Sequence, residues 1–354
     1  MLYQTENQHG GDVYGGGITL DFSANTNPLG TPPGVLEAVC RALPRLHRYP
    51  DPYCRRLVQA IAGHEQVPAS YILCGNGAAD LIYTYCAALR PRTAVELAPT
   101  FVEYGAGLAQ VGCRVERYFL HQAQNFDLDE RFLSFLEEKK PGVVFLCNPN
   151  NPTGRLIPLP LLEQILQYCA AQGARLFLDE CFLDLTEDGV SAKSLLAAHP
   201  ELLILKAFTK SYGMAGIRLG YCLCADNALL HRMAAASPPW NVSSPAQSAG
   251  VAALAERDFL QRTLSLVRTE RRWLTDNLTA LGFWVCPSHA NYLLFRGPLG
   301  LREGLLQQGI AIRGCGNYNG LGDGWYRIAV RPHGENEALI TAIRQFCKEK
   351  SLWQ

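Results

Sequence analysis

The sequence of 354 residues has no surplus of charge of either sign, because 32 Lys and Arg residues balance 32 Asp and Glu residues. A protein that binds nucleic acid or an anionic membrane usually carries a basic surplus or a basic patch. We therefore predict neither a nucleic-acid partner nor a membrane partner. The balance still allows local basic pockets that bind small anions.

Long apolar runs, a signal segment and a disulfide pattern are missing as well. No run approaches the ~20 apolar residues of a membrane-spanning helix, and residues 1–12 lack the apolar core of a secretory signal. The 13 cysteines are odd in number, scattered and without a C-x-x-C pair, so we predict free thiols. The histidines show no metal-ligand spacing. A soluble cytoplasmic protein without a metal site is expected.

Short apolar runs alternate with amphipathic segments in the middle of the chain. The predicted strands cover residues 71–74, 94–97, 114–119, 142–147, 175–179, 202–207 and 219–224. Residues 159–172 have apolar side chains at helical spacing and predict one of the intervening helices. This alternation indicates an α/β fold with a mostly parallel sheet that is covered on both faces. Ligands of such sheets bind at the carboxyl ends of the strands.

The pattern changes after residue 237, which suggests a division of the chain into three parts. We predict an N-terminal segment over residues 1–48 that packs beside the C-terminal part. A large domain follows over 49–237, and a smaller α/β domain over 238–354. A long helical stretch is expected over about residues 245–281. An active site between the two domains is expected.

The segment over residues 207–218 carries the most chemical information. Lys210 stands just after an apolar strand, and a lysine amine can form a Schiff base with a carbonyl group. Arg218 offers a permanently charged fork suited to phosphate, and Thr209 adds a hydroxyl beside the lysine. Taken alone, the segment could equally be a solvated loop.

This segment resembles the pyridoxal-phosphate (PLP) lysine motif of the fold-type I aminotransferase superfamily. Three further segments resemble other motifs of the same superfamily. The resemblance implies that Lys210 holds the cofactor covalently and that Thr209 and Arg218 contact it. The turn Gly75-Asn76-Gly77-Ala78 opens a predicted helix, where phosphate would bind. In the family, Asn76, Gly77 and Ala78 would line that phosphate.

The two remaining motifs each follow an apolar strand. By the same resemblance, Asn151 in Asn148-Pro-Asn-Asn-Pro-Thr-Gly154 hydrogen-bonds the phenolic oxygen of PLP. Asp179 in Asp179-Glu180 pairs with the protonated pyridine nitrogen and strengthens the ring as an electron sink. Lys210 and Asp179 are therefore the predicted catalytic residues.

Aromatic residues complete the cofactor site that the resemblance implies. Phe101 matches the residue that stacks on the pyridine ring, with Tyr104 as the alternative. Tyr49 matches a tyrosine that reaches the cofactor phosphate of the neighbouring subunit. A homodimer with shared active sites is therefore expected.

The resemblance is closest to the histidinol-phosphate aminotransferase-like group and, within it, to the threonine-phosphate decarboxylases. It rests on His9-Gly-Gly11, on residues 20–30 (LDFSANTNPLG), and on 312–321 and 325–331. It implies PLP-dependent decarboxylation of O-phospho-L-threonine to (R)-1-aminopropan-2-ol phosphate, a precursor of cobalamin. The substrate-binding residues that it implies are His9, Gly10, Asn25, Asn151, Arg313 for the phosphate end and Arg327 for the carboxylate.

One departure separates this sequence from the aminotransferases, which commonly carry a tyrosine three residues after the aspartate. Here Phe182 occupies that position, after Cys181, so the hydroxyl that would donate to the phenolic oxygen is absent. The departure favours the decarboxylase over amino transfer from histidinol phosphate to 2-oxoglutarate, which stays the alternative. A regulatory PLP-binding protein is a third hypothesis, but the chain has no DNA-binding extension.

Overall fold

Seven strands form the largest sheet in the computed structural model, which describes residues 9–350. The strands of the chain are β1 (Leu20–Asp21), β2 (Ile72–Gly75), β3 (Thr93–Ala98), β4 (Arg114–Phe119), β5 (Val143–Cys147), β6 (Arg175–Asp179), β7 (Leu202–Ala207), β8 (Gly220–Cys224), β9 (Trp284–Val285), β10 (Tyr292–Arg296), β11 (Ile310–Ala311), β12 (Arg313–Gly314) and β13 (Trp325–Ala329). The order in the large sheet is β2-β8-β7-β6-β5-β3-β4. Only β8 runs antiparallel to its neighbours, so the predicted mostly parallel sheet is confirmed.

The described residues also form helices, some of which link the parallel strands of this sheet. They are α1 (Pro33–Ala42), α2 (Arg55–Glu65), α3 (Ala78–Leu89), α4 (Glu103–Gln110), α5 (Arg131–Lys139), α6 (Leu159–Gln172), α7 (Phe208–Ser211), α8 (Asn227–Ala236), α9 (Ser244–Ala253), α10 (Phe259–Ala280), α11 (Leu301–Leu306) and α12 (His333–Glu349). The apolar spacing in α6 places Leu162, Ile165 and Leu166 on one buried face. Gly173, with a φ of 66°, ends this helix in the left-handed conformation, which glycine adopts without a steric cost. The predicted helix over 159–172 is confirmed.

The C-terminal part is built on a separate four-stranded antiparallel sheet of order β12-β13-β10-β9. The N-terminal segment joins this part through β1, which pairs in parallel with β11. Its helix α1 packs along α9. The sequence showed little periodicity before residue 48, and α1 was therefore not predicted.

The predicted helical stretch over 245–281 consists of two helices, α9 and α10. Residues 254–258 turn between them, and the N–H groups of Ala255 and Glu256 bond carbonyls three residues back. This tighter pattern is typical of a helix that is ending. No Gly or Pro marks the break, so periodicity alone runs across it.

Two predictions about composition can be compared with the structure. All 13 cysteines are free, and eleven of them are buried. Within residues 9–350, no helix combines the length and the apolar character needed to cross a membrane.

Candidate active site

A cavity of about 230 Å³ lies at the carboxyl ends of three neighbouring parallel strands. Cys147, Asp179 and Ala207, which end β5, β6 and β7, all line it. Parallel strands bring their carboxyl ends to one edge of a sheet, and ligands of α/β proteins bind there. The fold therefore places the motifs that follow these strands in one site.

Lys210 enters this cavity from α7, the single helical turn that follows β7. Its Nζ atom lies 5.5 Å from the centre of the Phe182 ring. Burial and, after it, the nearby charge of Arg327 lower the pKa of the Lys210 ammonium to about 8. A lysine with a lowered pKa supplies a neutral, nucleophilic amine near physiological pH.

Asp179 is buried at the end of β6 and lines the same cavity. Its Oδ2 accepts a hydrogen bond of 2.6 Å from the Tyr104 hydroxyl, and its Oδ1 accepts one of 2.9 Å from the Cys181 N–H. Burial raises the pKa of the Asp179 carboxyl above its ordinary value. A desolvated carboxylate that is fixed in this way is suited to pair with a protonated ring nitrogen.

The turn before α3 lies against the side chain of Arg218, which lines the cavity. Gly77 precedes the first residue of α3 with a φ of 88°. A Cβ atom at this position would lie 2.6 Å from the Arg218 guanidinium, so only glycine allows the arginine to approach the turn. The N–H groups of a helix N-terminus and an arginine together suit a phosphate group.

Arg327 projects into the cavity from β13, in the C-terminal sheet, and it is almost fully buried. One of its Nη atoms donates to the side-chain oxygen of Asn151, and the other donates to the Ser23 carbonyl at 2.9 Å. The Tyr318 hydroxyl lies 3.5 Å from the first. Its Nε has no partner among the described residues. The guanidinium is therefore held rigidly, as the binding of a carboxylate requires.

The residues that line the cavity also include His9, Asn25 and Arg313. Arg313 donates to the side-chain oxygen of Asn317 at 2.7 Å and lies over the Tyr318 ring. Asn25 is 1% exposed, and neither its Nδ2 nor its Oδ1 has a partner among residues 9–350. A buried amide without a partner is costly, so Asn25 is placed to bind a polar ligand.

Positive charge dominates the lining of the cavity. It contains Lys210, Arg218, Arg313 and Arg327, whereas Asp179 is the one carboxylate among its described residues. Cations that converge in a partly desolvated space repel one another unless anions bind between them. The cavity therefore fits a ligand or ligands with several negative charges.

Comparison with known proteins identifies the family. Residues 18–346 match the family described as aminotransferase class I and II. The chain belongs to this family. It is 41% identical over 331 residues to the threonine-phosphate decarboxylase of Salmonella typhimurium, covering 92% of this chain and 90% of the relative. It is also 32% identical over 343 residues to histidinol-phosphate aminotransferase 1 of Cupriavidus pinatubonensis, covering 93% of this chain and 88% of the relative.

Solved structures give the same assignment. The histidinol-phosphate aminotransferase of Clostridium acetobutylicum superimposes with a TM-score of 0.87 at 28% identity, covering 93% of this chain and 99% of that one. The predicted fold is therefore confirmed. Membership of the aminotransferase class I and II family also supports PLP as the cofactor.

The residues of this family member fit PLP. The turn at Gly77 and Arg218 would hold its phosphate, and Asp179 would face its ring nitrogen. Lys210 would bind its carbonyl carbon, and Phe101, which lines the cavity, would pack on the ring.

The cavity brings together most of the residues predicted from the motifs. The predicted residues that line it are His9, Gly10, Asn25, Ala78, Phe101, Asn151, Asp179, Thr209, Lys210, Arg218, Arg313 and Arg327. Asn76 and Gly77 lie in the turn just outside. Tyr104 is fully buried and contacts Asp179 from behind, so it supports the carboxylate rather than stacking on a ligand. Tyr49 is 79% exposed and stacks on Trp240, outside the cavity of its own chain.

Several lining residues were not predicted as site residues. Ser23, Tyr318 and Cys147 are examples, and the first two contact Arg327. Tyr318 lies in the C-terminal stretch that carried the narrower resemblance, so its position was the available signal. Cys147 and Cys181 also line the cavity, although the sequence assigned no role to any cysteine.

Proposed function

We propose that this protein is a PLP-dependent carboxy-lyase that decarboxylates O-phospho-L-threonine to (R)-1-aminopropan-2-ol phosphate, for the biosynthesis of cobalamin. The observation that carries this proposal is the set of cations around one cavity. Arg218 serves the cofactor phosphate, Arg327 the substrate carboxylate, and Arg313 with His9 the substrate phosphate. A similar protein named threonine-phosphate decarboxylase supports the same assignment.

PLP, when bound, accepts the electron pair of the bond that breaks at the substrate Cα. The protein decides which bond that is by holding the substrate. Arg327, fixed by Asn151 and the Ser23 carbonyl, binds the carboxylate and sets its direction relative to the ring. Asp179 keeps a negative charge beside the ring nitrogen. After CO₂ leaves, Cα takes up a proton, which the Lys210 amine or a water molecule would supply.

Phe182 supports decarboxylation over amino transfer. Its ring lines the cavity beside Lys210 and packs edge-on against Tyr292 at 4.9 Å. A phenylalanine cannot donate a hydrogen bond to the phenolic oxygen of the cofactor. The site therefore lacks the donor that the aminotransferases commonly provide at this position.

A direct assay tests the proposal. The purified protein, loaded with PLP, is incubated with O-phospho-L-threonine and no keto acid, and CO₂ and the amino-alcohol phosphate are measured. We expect both products in equal amounts, and no turnover by Lys210→Ala. If neither product forms, but histidinol phosphate and 2-oxoglutarate exchange an amino group, the protein is an aminotransferase instead.

We also propose that the protein acts in the cytoplasm as a homodimer with shared active sites. Apolar side chains are exposed near the N-terminus, at Leu36, Leu43, Leu46 and Tyr49, and the exposed Trp240 stacks on Tyr49. A second copy would cover this surface and place its Tyr49 at the cofactor phosphate. Mixing inactive Lys210→Ala and Tyr49→Ala subunits should restore a quarter to a half of the activity, because one site of each hybrid is intact. Failure of the mixture to regain activity, with hybrids shown to form, would contradict shared sites.

A further inference from the structure

A glutamate stands behind the histidine at the edge of the cavity. The Nε2 atom of His9 lies 2.8 Å from Oε1 of Glu103, and Oε2 of the same carboxylate accepts a 2.6 Å hydrogen bond from the Tyr83 hydroxyl. Glu103 begins α4, and Tyr83 lies on α3. Neither residue lines the cavity. The contact joins the N-terminal segment to the large sheet's helices across 94 positions of sequence.

The geometry fixes both the position and the proton of the imidazole. The hydrogen bond from His9 is the largest influence on Glu103 and lowers the pKa of its carboxyl, and the Tyr83 bond lowers it as well. An ionised carboxylate only accepts hydrogen bonds, so the Nε2 of His9 must carry a hydrogen. The His9 ring also packs at 5.9 Å from the Phe101 ring. Two contacts on different atoms therefore hold the ring at the cavity edge.

The charge of Glu103 also bears on phosphate binding. His9 and Arg313 line the same cavity. Glu103 places a negative charge 2.8 Å from the imidazole without lining the cavity itself. A carboxylate at this distance makes an imidazole a better partner for an anion, because it stabilises positive charge on the ring.

We propose that Glu103 is a positioning residue for His9, which it orients and provides with a counter-charge, so that His9 and Arg313 together recognise the phosphate of the substrate. Tyr83 fixes the second oxygen of Glu103 and so defines which oxygen faces His9. The inference rests on the proposed function for the identity of the substrate. Whichever substrate the enzyme uses, Glu103 acts on phosphate binding, and it acts through His9.

The test uses the PLP-loaded enzyme and the isosteric Glu103→Gln variant, which keeps the size of the side chain and removes its charge. We expect KM for O-phospho-L-threonine to rise roughly tenfold, the effect of losing one charged hydrogen-bond partner, while kcat changes by less than about twofold because the reacting atoms keep their contacts. The Kd of inorganic phosphate, measured by calorimetry, should rise by a similar factor. Tyr83→Phe should produce a smaller effect of the same kind.

A double-mutant cycle separates this role from a merely structural one. If Glu103 acts through His9, Glu103→Gln adds nothing to the KM and Kd of the His9→Ala enzyme. A matched control is Glu201→Gln, since Glu201 also pairs with a histidine, His199 at 2.7 Å, away from the cavity. We expect that control to match the parent enzyme.

Three outcomes would overturn the inference: a Glu103→Gln effect no larger than that of Glu201→Gln, an effect on kcat rather than on KM, or full additivity with His9→Ala. The phosphate Kd does not depend on which substrate the enzyme uses. If the parent enzyme does not decarboxylate phosphothreonine, the proposed function fails, and the calorimetric cycle still decides the role of Glu103.

Discussion

The low pKa of Lys210 predicts how fast the protein captures its cofactor as the pH changes. Only the neutral amine attacks the cofactor's carbonyl carbon. Burial and the charge of Arg327 lower the pKa of Lys210 from 10.5 to about 8. At pH 7.5 roughly a quarter of the amine is then neutral, against about 0.1% for an ordinary lysine. The environment therefore raises the rate of capture at pH 7.5 on the order of two hundredfold.

The assay mixes apoenzyme with PLP in a stopped-flow instrument and follows visible absorbance from pH 6.5 to 10. The same measurement on Lys210→Ala gives the signal from non-covalent binding, which is subtracted. We expect the rate to rise with pH and to level off above a midpoint near 8. Lys206, the other buried lysine of this segment, cannot produce this profile, because its two carboxylate partners raise its pKa.

Replacing Arg327 by Gln removes the charge that lowers the pKa of Lys210 most. The midpoint should then move to higher pH, and the rate at pH 7.5 should fall by more than twofold. Arg114→Gln is the control, since Arg114 pairs with Glu116 on the surface, and it should leave the profile unchanged. A midpoint above pH 9.5 in the parent enzyme, or no movement in Arg327→Gln, would refute this account of the site.

Three further predictions concern the cofactor site and the buried charges behind it. Phe182→Tyr restores a hydroxyl near the cofactor and should raise glutamate formation from 2-oxoglutarate in a coupled assay; an unchanged ratio of amine to glutamate would count against the role given to this position. The Nζ of Lys206 lies 3.0 Å from a carboxylate oxygen of Asp184 and 3.1 Å from one of Glu65. Lys206→Met removes this shared cation and should lower the free energy of unfolding in urea by about 3–5 kcal/mol. Lys139→Met on the surface should behave like the parent. Lys206, Tyr221 and Lys193 lower the pKa of Glu65 from 4.5 to about 2 despite its burial. Because the pKa is lower in the folded state, Glu65 contributes about 3 kcal/mol of stability above pH 4.5, and this contribution is lost between pH 4.5 and 2. Acid denaturation curves of Glu65→Gln should lack that loss.

The parts of the fold that the sequence predicts are those set by local periodicity. The strands β4, β6 and β7 and the helix α6 begin and end where the apolar pattern does. The pattern failed where tertiary contacts decide the structure. The break between α9 and α10 has no Gly or Pro, and the short strands β11 and β12 join two different sheets only one residue apart. Neither feature leaves a local signal.

The same distinction holds for the candidate site. Motifs placed directly after strands, such as Lys210 and Asp179, could be assigned because parallel strands end at one edge of the sheet. The contacts that hold those groups in place could not be predicted, since the partners are distant in sequence. Tyr104 lies 75 positions from Asp179, and Asn151 lies 176 positions from Arg327. Such pairs depend on topology, which one sequence does not display.

The balanced composition and the cationic cavity together explain how the site is stabilised. Although the chain has no net charge, four cations and one carboxylate line a cavity of about 230 Å³. Without ligands, repulsion among these cations costs free energy, and the low pKa of Lys210 shows part of that cost. Anions that bind there remove it, so cofactor and substrate should each stabilise the folded state by more than their contacts with neutral groups would provide. In the proposed function, Arg218 would face the phosphate of the cofactor, and Arg327 and Arg313 would face the carboxylate and the phosphate of the substrate. A preference for a doubly anionic substrate is therefore expected from this distribution of charge.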